Sequence, residues 1–351
     1  MIEENTRWPR YRNAIVIDAC SAPGQQADGS DRITLDAAGL KPIRESGLTA
    51  INFTVGAVGS FRRDYRETVE NIAYWDKQIA AHPDVLMKIT RGSQIDEAKR
   101  SGRLGIIYGF QDTTMYGEDL ARFDEFHDSG VRIVQLTYNR RNLVGDGCME
   151  PGDAGLSLFG RELLATMNTH GVLVDLSHCG RRTTREAIES STGPVAITHS
   201  GCAALVANPR NKSDETMRAL AERGGVFGIY AMPYLRESGQ VMADDVIGHI
   251  EHALNICGED HVGLGTDGVV AGVQLTSAYK QGFAAEIAER RRRGIAAPGE
   301  RADSYTFALD LNSPQRYEQL AFKLARRGHG DACIEKILGA NFARVLRQVI
   351  G

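Results

Sequence analysis

No run of apolar residues in this chain of 351 approaches the roughly 20 that a membrane span needs. The opening residues MIEENTRWPRYRN lack the apolar core of a signal peptide. A net charge of −4 is too mild to suggest a nucleic-acid or membrane-surface partner. The six cysteines, Cys20, Cys148, Cys179, Cys202, Cys257 and Cys333, follow no framework spacing. They read as reduced thiols of a cytoplasmic protein rather than a disulfide scaffold. No GxGxxG or GxxxxGK[ST] follows any strand-like run, which removes the usual nucleotide-binding argument for an open sheet. No repeat and no linker divides the chain, so residues 1–351 are expected to form one domain.

What is present is a core and an alternation. Hydrophobic residues make up 42% and charged residues 25%, as in a globular protein with a sizeable interior. Strand-like runs are read at 14–18, 47–55, 104–110, 132–138, 172–176, 195–198, 225–230 and 261–265, with a minor one at 86–90. Helical patterns fall between them at 36–45, 63–82, 93–101, 119–129, 158–169, 181–190, 214–223 and 241–257. Eight strands alternating with helices over this length favour a closed (β/α)8 TIM-like barrel; a doubly wound open sheet is the alternative. The segment 284–351 is read as a C-terminal helical extension packed outside or beneath the barrel, starting with a charged helix at 284–294. The run Arg290 to Arg293 is read as a solvated helix face rather than a patch for an anionic partner.

The most informative stretch is 171–200, GVLVDLSHCGRRTTREAIESSTGPVAITHS. It reads strand, helix, strand, and each strand closes on a histidine, His178 and His199. In a βαβ unit the two strands are parallel neighbours, so both imidazoles reach the carboxyl edge, where barrels place their chemistry. That makes them a candidate metal pair. Residues just past the other strands share this rim: Cys20, Gln111, Tyr138 and Asp267. Imidazoles with a thiolate suit zinc. Asp267 could deprotonate a metal-bound water or join the ligands, as could Cys20 as a ligand. Arg210, in the loop after His199, could grip a substrate carboxylate through its planar fork. Each has a plainer reading: Asp267 as a turn residue, Arg210 as a brace of its own loop, Cys20 as an inert thiol, Gln111 and Tyr138 as rim packing. The loop 139–155 is long enough to be functional.

The segments VDLSHCG, ITHSGC, NPRNKSDE, GVFGIY, HVGLGTD and ILGANFARVL resemble the membrane (renal) dipeptidase family, as does FGRELLATMNTHG. The resemblance runs from the first strand to the last helix. It implies an amidohydrolase-like (β/α)8 barrel that binds two zinc ions and cleaves dipeptides with a free carboxylate; dimers are common in the family. By position, His178 and His199 match ligands of one zinc, Asp267 the residue that activates water, and Arg210 the carboxylate-binding arginine. The other half of the site departs. Cys20-Ser21-Ala22 stands where the family has a His-x-Asp pair, Gln111 where it has a bridging glutamate, and Tyr138 where it has a substrate-contacting histidine. With two anionic ligands gone, two close divalent ions would repel without compensation, so one zinc is expected rather than two. The expected activity is metal-dependent hydrolysis of a dipeptide or similar small amide, with Asp267 and Tyr138 catalytic and Arg210, Tyr138 and Gln111 contacting substrate. Divergence to another substrate, or an inactive binder of a small carboxylate, is the alternative.

Overall fold

Eight parallel strands form the frame: β1 Ile17–Asp18, β2 Ala50–Thr54, β3 Leu104–Phe110, β4 Val131–Gln135, β5 Leu173–Asp175, β6 Ala196–Ser200, β7 Val226–Ile229 and β8 Val262–Leu264. The computed structural model describes residues 7–24, 33–56 and 65–351. Each strand pairs with the next in chain order, from β1 beside β2 through to β8 beside β7. The first and last strands then meet: the Ala19 amide donates to the Leu264 carbonyl at 2.9 Å. Above that junction Ser21–Ala22 and Gly268–Val269 form a short parallel ribbon. The sheet is thus the TIM-like barrel expected, and the minor strand Leu86–Lys88 pairs outside the main path, on β3.

Burial explains the closure. Ile17, Ala50, Leu173, Ala196 and Val226, each the first residue of its strand, and Ile133 in the middle of β4 share one buried cluster with Phe342, Ala343, Val345 and Leu346. Those four come from the helix Asn341–Ile350, which therefore plugs the amino-terminal end of the barrel. The last helical stretch of the extension, from Asp331 to Ile350, is interrupted by a wide turn, Lys336–Ala340. The cause is a close approach. A Cβ on Gly339 would lie 2.6 Å from the Ile17 nitrogen, so the chain passes β1 only as glycine. At the opposite end, a Cβ on Gly228 or Gly265 would sit 2.0 Å from the Thr198 carbonyl oxygen, so both glycines let β7 and β8 crowd the strand that carries His199.

Most helices fall where the apolar spacing placed them; Leu158–Thr169 and Arg181–Ser190 match in both bounds. The helix Tyr65–Ala81 buries Ile72 and Trp75 but leaves Val69 exposed, so its inward stripe is narrower than its sequence suggests. Residues 25–31 of the first turn-rich segment, and 63–64 of the expected helix, lie outside the described residues. The charged helix starts earlier than expected, at Ser277, and runs to Arg293.

Candidate metal centre and its carboxylate pocket

His178 and His199 do converge: their Nε2 atoms lie 3.1 Å apart in a buried setting. The network around them assigns the protons. The Asn139 amide is oriented by Nδ2 donating to the Ile295 carbonyl at 2.7 Å, so its Oδ1 accepts from His178 Nδ1 at 2.6 Å. On the other ring, Thr198 Oγ1 gives its one proton to Asp175 Oδ2 at 2.6 Å and so accepts from His199 Nδ1 at 2.8 Å. Both Nδ1 atoms are donors, and both Nε2 atoms present lone pairs to each other. Burial, then the charge of Arg210, holds His178 well below the usual imidazole range. Burial also lowers His199, although Asp267 and Asp175 pull the other way. Two neutral rings with facing lone pairs repel unless a cation lies between them, and a spacing of 3.1 Å suits two ligands of one ion at roughly 2.0–2.1 Å.

Asp175 on β5 braces both histidine-bearing strand ends. Its Oδ1 accepts from Ser177 N, Ser177 Oγ and Thr198 N, tying the two strand ends together, and Ser177 Oγ accepts the His199 amide at 3.0 Å. Such outer partners fix ring orientation and tautomer. Neither Asp175 nor Asn139 was singled out from sequence; the signal was their position beside the site residues, in VDLSH and LTYN.

Cys20, His199 and Asp267 bring donor atoms within 4.8 Å of one another, and they are the metal-capable trio among the described residues. Asp267 is the one non-glycine residue with positive φ there, at 57°. This left-handed backbone is one that Asp tolerates, and here it turns the carboxylate toward β1. The Asp267 amide donates to the Cys20 carbonyl at 2.8 Å, and Cys20 Sγ donates to Asp267 Oδ1 at 3.3 Å. Burial, with Asp267, Asp18 and Asp175 nearby, pushes the Cys20 thiol well up. Gln111 Nε2 donates to Cys20 Sγ at 3.2 Å and to Thr54 Oγ1 at 3.0 Å. An amide thus fills the side where a second cation would need acid. The donors, imidazole, thiol and carboxylate, are of the kinds that suit a divalent ion such as zinc.

Arg210 lies across the pocket with 1% exposure. Nη1 donates to the Ser177 carbonyl at 2.6 Å, the face of Tyr230 lies 5.7 Å away, and among the described residues no carboxylate ion-pairs with it. Lys212, also buried, donates instead to the Cys179 carbonyl at 2.7 Å. A buried guanidinium without an anion is costly, and a ligand carboxylate would relieve that cost.

Tyr138 stacks on His178, ring centres 4.1 Å apart and 23° from parallel. Its hydroxyl meets Arg290 Nη2 at 3.4 Å. Arg290 is therefore not on a solvated face, as the run of four arginines suggested. It forks onto Glu300 at 2.7 and 2.9 Å, and Glu300, 3% exposed as a side chain, also accepts from Tyr234 OH at 2.8 Å. Arg292 and Arg293 keep the solvated role, paired with Glu289. The segment after the helix crosses the barrel mouth and is held there by Asn139, and by Asn208 on the Pro298 carbonyl at 2.7 Å.

Comparison with known proteins bears on the family and the fold. The family model described as membrane dipeptidase (peptidase family M19) matches residues 24–296. Dipeptidase verJ of Clonostachys rogersoniana is 27% identical over 286 residues, 81% of this chain and 65% of the relative. An uncharacterized dipeptidase of Schizosaccharomyces pombe is 30% identical over 210 residues, 58% of this chain and 50% of the relative. The chain thus spans about half to two thirds of the length of these curated relatives. Among solved structures, an amidohydrolase from Pseudomonas aeruginosa is 33% identical with a TM-score of 0.81, covering 97% of both chains. A metallopeptidase from Rhodobacter sphaeroides, liganded with a phosphinate mimic of the dipeptide L-Ala-D-Ala, shares the fold at 18% identity and a TM-score of 0.76, covering 96% of this chain and 99% of its own. The chain belongs to the membrane dipeptidase family, peptidase family M19.

Proposed function

We propose that the protein hydrolyses a dipeptide or a similar small amide with a free carboxylate, using one zinc-like ion held by His178 and His199. The observation that carries this reading is the pair of bare Nε2 atoms 3.1 Å apart, each ring's other nitrogen committed as a donor. A divalent cation there would supply an acidified water and polarise the amide carbonyl. The chain's own residues do the rest. Arg210 would take the carboxylate with the donors that backbone carbonyls leave free, fixing which end of the substrate faces the ion. Asp267, partly buried at the mouth, would accept the proton of the attacking water and return it to the departing amine. The Tyr138 hydroxyl, tethered by Arg290, would donate to the carbonyl oxygen as charge develops on it. Gln111 stays neutral beside Cys20 and would touch the substrate only as a hydrogen-bonding wall.

The test is a dipeptide panel with added zinc, cobalt or manganese. Turnover is expected, with Asp267→Asn lowering kcat by roughly 10²–10⁴-fold and Arg210→Met acting chiefly on KM. Saturable binding with no turnover under any metal would overturn hydrolysis. It would favour a carboxylate-binding protein, the second reading, which the loss of acid at Ala22 and Gln111 supports.

A further inference from the structure

We propose that Cys20 is itself a metal ligand, its sulfur joining His199 on one soft divalent cation, with Asp267 beside them as the base. This deepens the proposed function and rests on it. Three observations place the sulfur there. Its backbone is held on both sides of the strand end: the Cys20 amide donates to Asp18 Oδ1 at 3.1 Å, and its carbonyl accepts from Asp267 N at 2.8 Å. Its Sγ already points at Asp267 Oδ1, 3.3 Å away, through a hydrogen bond whose proton an ion would replace. Its other flank is occupied by the Gln111 amide, which donates to the sulfur at 3.2 Å, as outer partners of metal-bound thiolates do.

Charge points the same way. Asp18, Asp175 and Asp267 all act on Cys20, and the salt bridges among the described residues assign a lysine or arginine to none of them. A divalent ion would balance that excess while accepting sulfur and nitrogen together. The donor set also discriminates. Thiolate plus imidazole suits zinc and cobalt, whereas magnesium and manganese prefer oxygen ligands. The protein should therefore retain zinc or cobalt against an excess of magnesium.

The experiment is cobalt substitution of the full chain, read by absorption and by metal analysis. Cobalt-loaded wild type should show a sulfur-to-cobalt charge-transfer band in the near ultraviolet, with about one ion per chain. The band should persist in Cys148→Ser and in Cys179→Ser, which remove the thiols beside Asn139 and His178. It should vanish in Cys20→Ser and Cys20→Ala, with metal affinity falling by more than the roughly 10–100-fold typical of losing an outer partner. Zinc X-ray absorption should show one sulfur at about 2.3 Å in wild type only. An unchanged near-ultraviolet band in both Cys20 variants would overturn the proposal and leave the histidine-held ion standing. Visible cobalt bands without any sulfur band in wild type would do the same. A wild-type protein that retains no cobalt or zinc would sink this proposal and the proposed function together.

Discussion

Replacing Arg290 by methionine is a direct probe of whether the strap over the barrel mouth is bound by charge. The change keeps most of the apolar stem and leaves Glu300 with Tyr234 OH and the Ala297 amide as donors. Glu300 has a side-chain exposure of 3% and Arg290 22%, so the pair is largely out of water. Breaking such a pair from one side costs about 3–5 kcal/mol, and the partial exposure of Arg290 favours about 3. With an unfolding entropy of about 2.1 cal/mol/K per residue, a chain of 351 residues loses about 4 °C in Tm for that amount. Differential scanning calorimetry at pH 7 measures it, with Arg292→Met as the control, since Arg292 is 73% exposed and pairs at the surface. The pH dependence has a definite sign. Burial pushes the Glu300 carboxyl up, but Arg290 more than offsets this and holds it below the usual glutamate range. A depressed carboxyl stabilises the fold above its unfolded value of about 4.3 and loses that contribution as pH falls through the folded value. The deficit of Arg290→Met should therefore be full at pH 7 and shrink below about pH 4. The double change Arg290→Met with Glu300→Leu should recover most of the loss, because an apolar pair leaves no buried charge. If Arg290→Met matches Arg292→Met within about 1 kcal/mol at pH 7, the pair is solvated and the reasoning fails.

Other expectations follow from the same network. Asp175→Asn should lower zinc affinity by roughly 10–100-fold in a competition titration, because it loosens both histidine-bearing strand ends; unchanged affinity would show that Asp175 does not organise the rings. Burial raises Asp112 to about 6 despite its bonds to Asn142 and Thr113. A raised carboxyl binds more protons folded than unfolded, so it lowers stability as pH climbs from about 4 to about 6. Asp112→Asn should flatten that part of a denaturation-versus-pH profile, and an unchanged profile would count against it. Restoring the missing ligands through Cys20→His and the missing acid through Ala22→Asp and Gln111→Glu should raise the tightly held metal from one ion per chain to two by elemental analysis. One ion in the triple variant would show that charge is not what limits the count.

The barrel was legible because its cause is local: each apolar run and each helical spacing names its own element, and parallel alternation leaves few ways to close. His178, His199, Asp267 and Cys20 were legible for a related reason, since a strand's end fixes which rim its next residue reaches. Arg290 was not. In a run of four arginines on a charged helix, nothing local distinguishes the one that turns inward. The choice is made by Glu300, ten residues on, and by a tyrosine 152 positions away. The orienting roles of Asn139 and Asp175 were hidden similarly, because a side chain's hydrogen-bond partner depends on packing between loops rather than on spacing along one of them. The break at Lys336–Ala340 reflects a tertiary approach between Gly339 and β1, which a helical periodicity cannot register.

The junction of β1 with β8 also sets a timetable. Cys20 and Asp267 are 247 positions apart, and the helix that seals the barrel's base comes later still, at Asn341–Ile350. During synthesis the first strand must wait, its edge unpaired, until nearly every other element has emerged. The pocket is then the last thing assembled, so a chain stalled before its final helix should carry helices and strands in abundance and yet hold no ion.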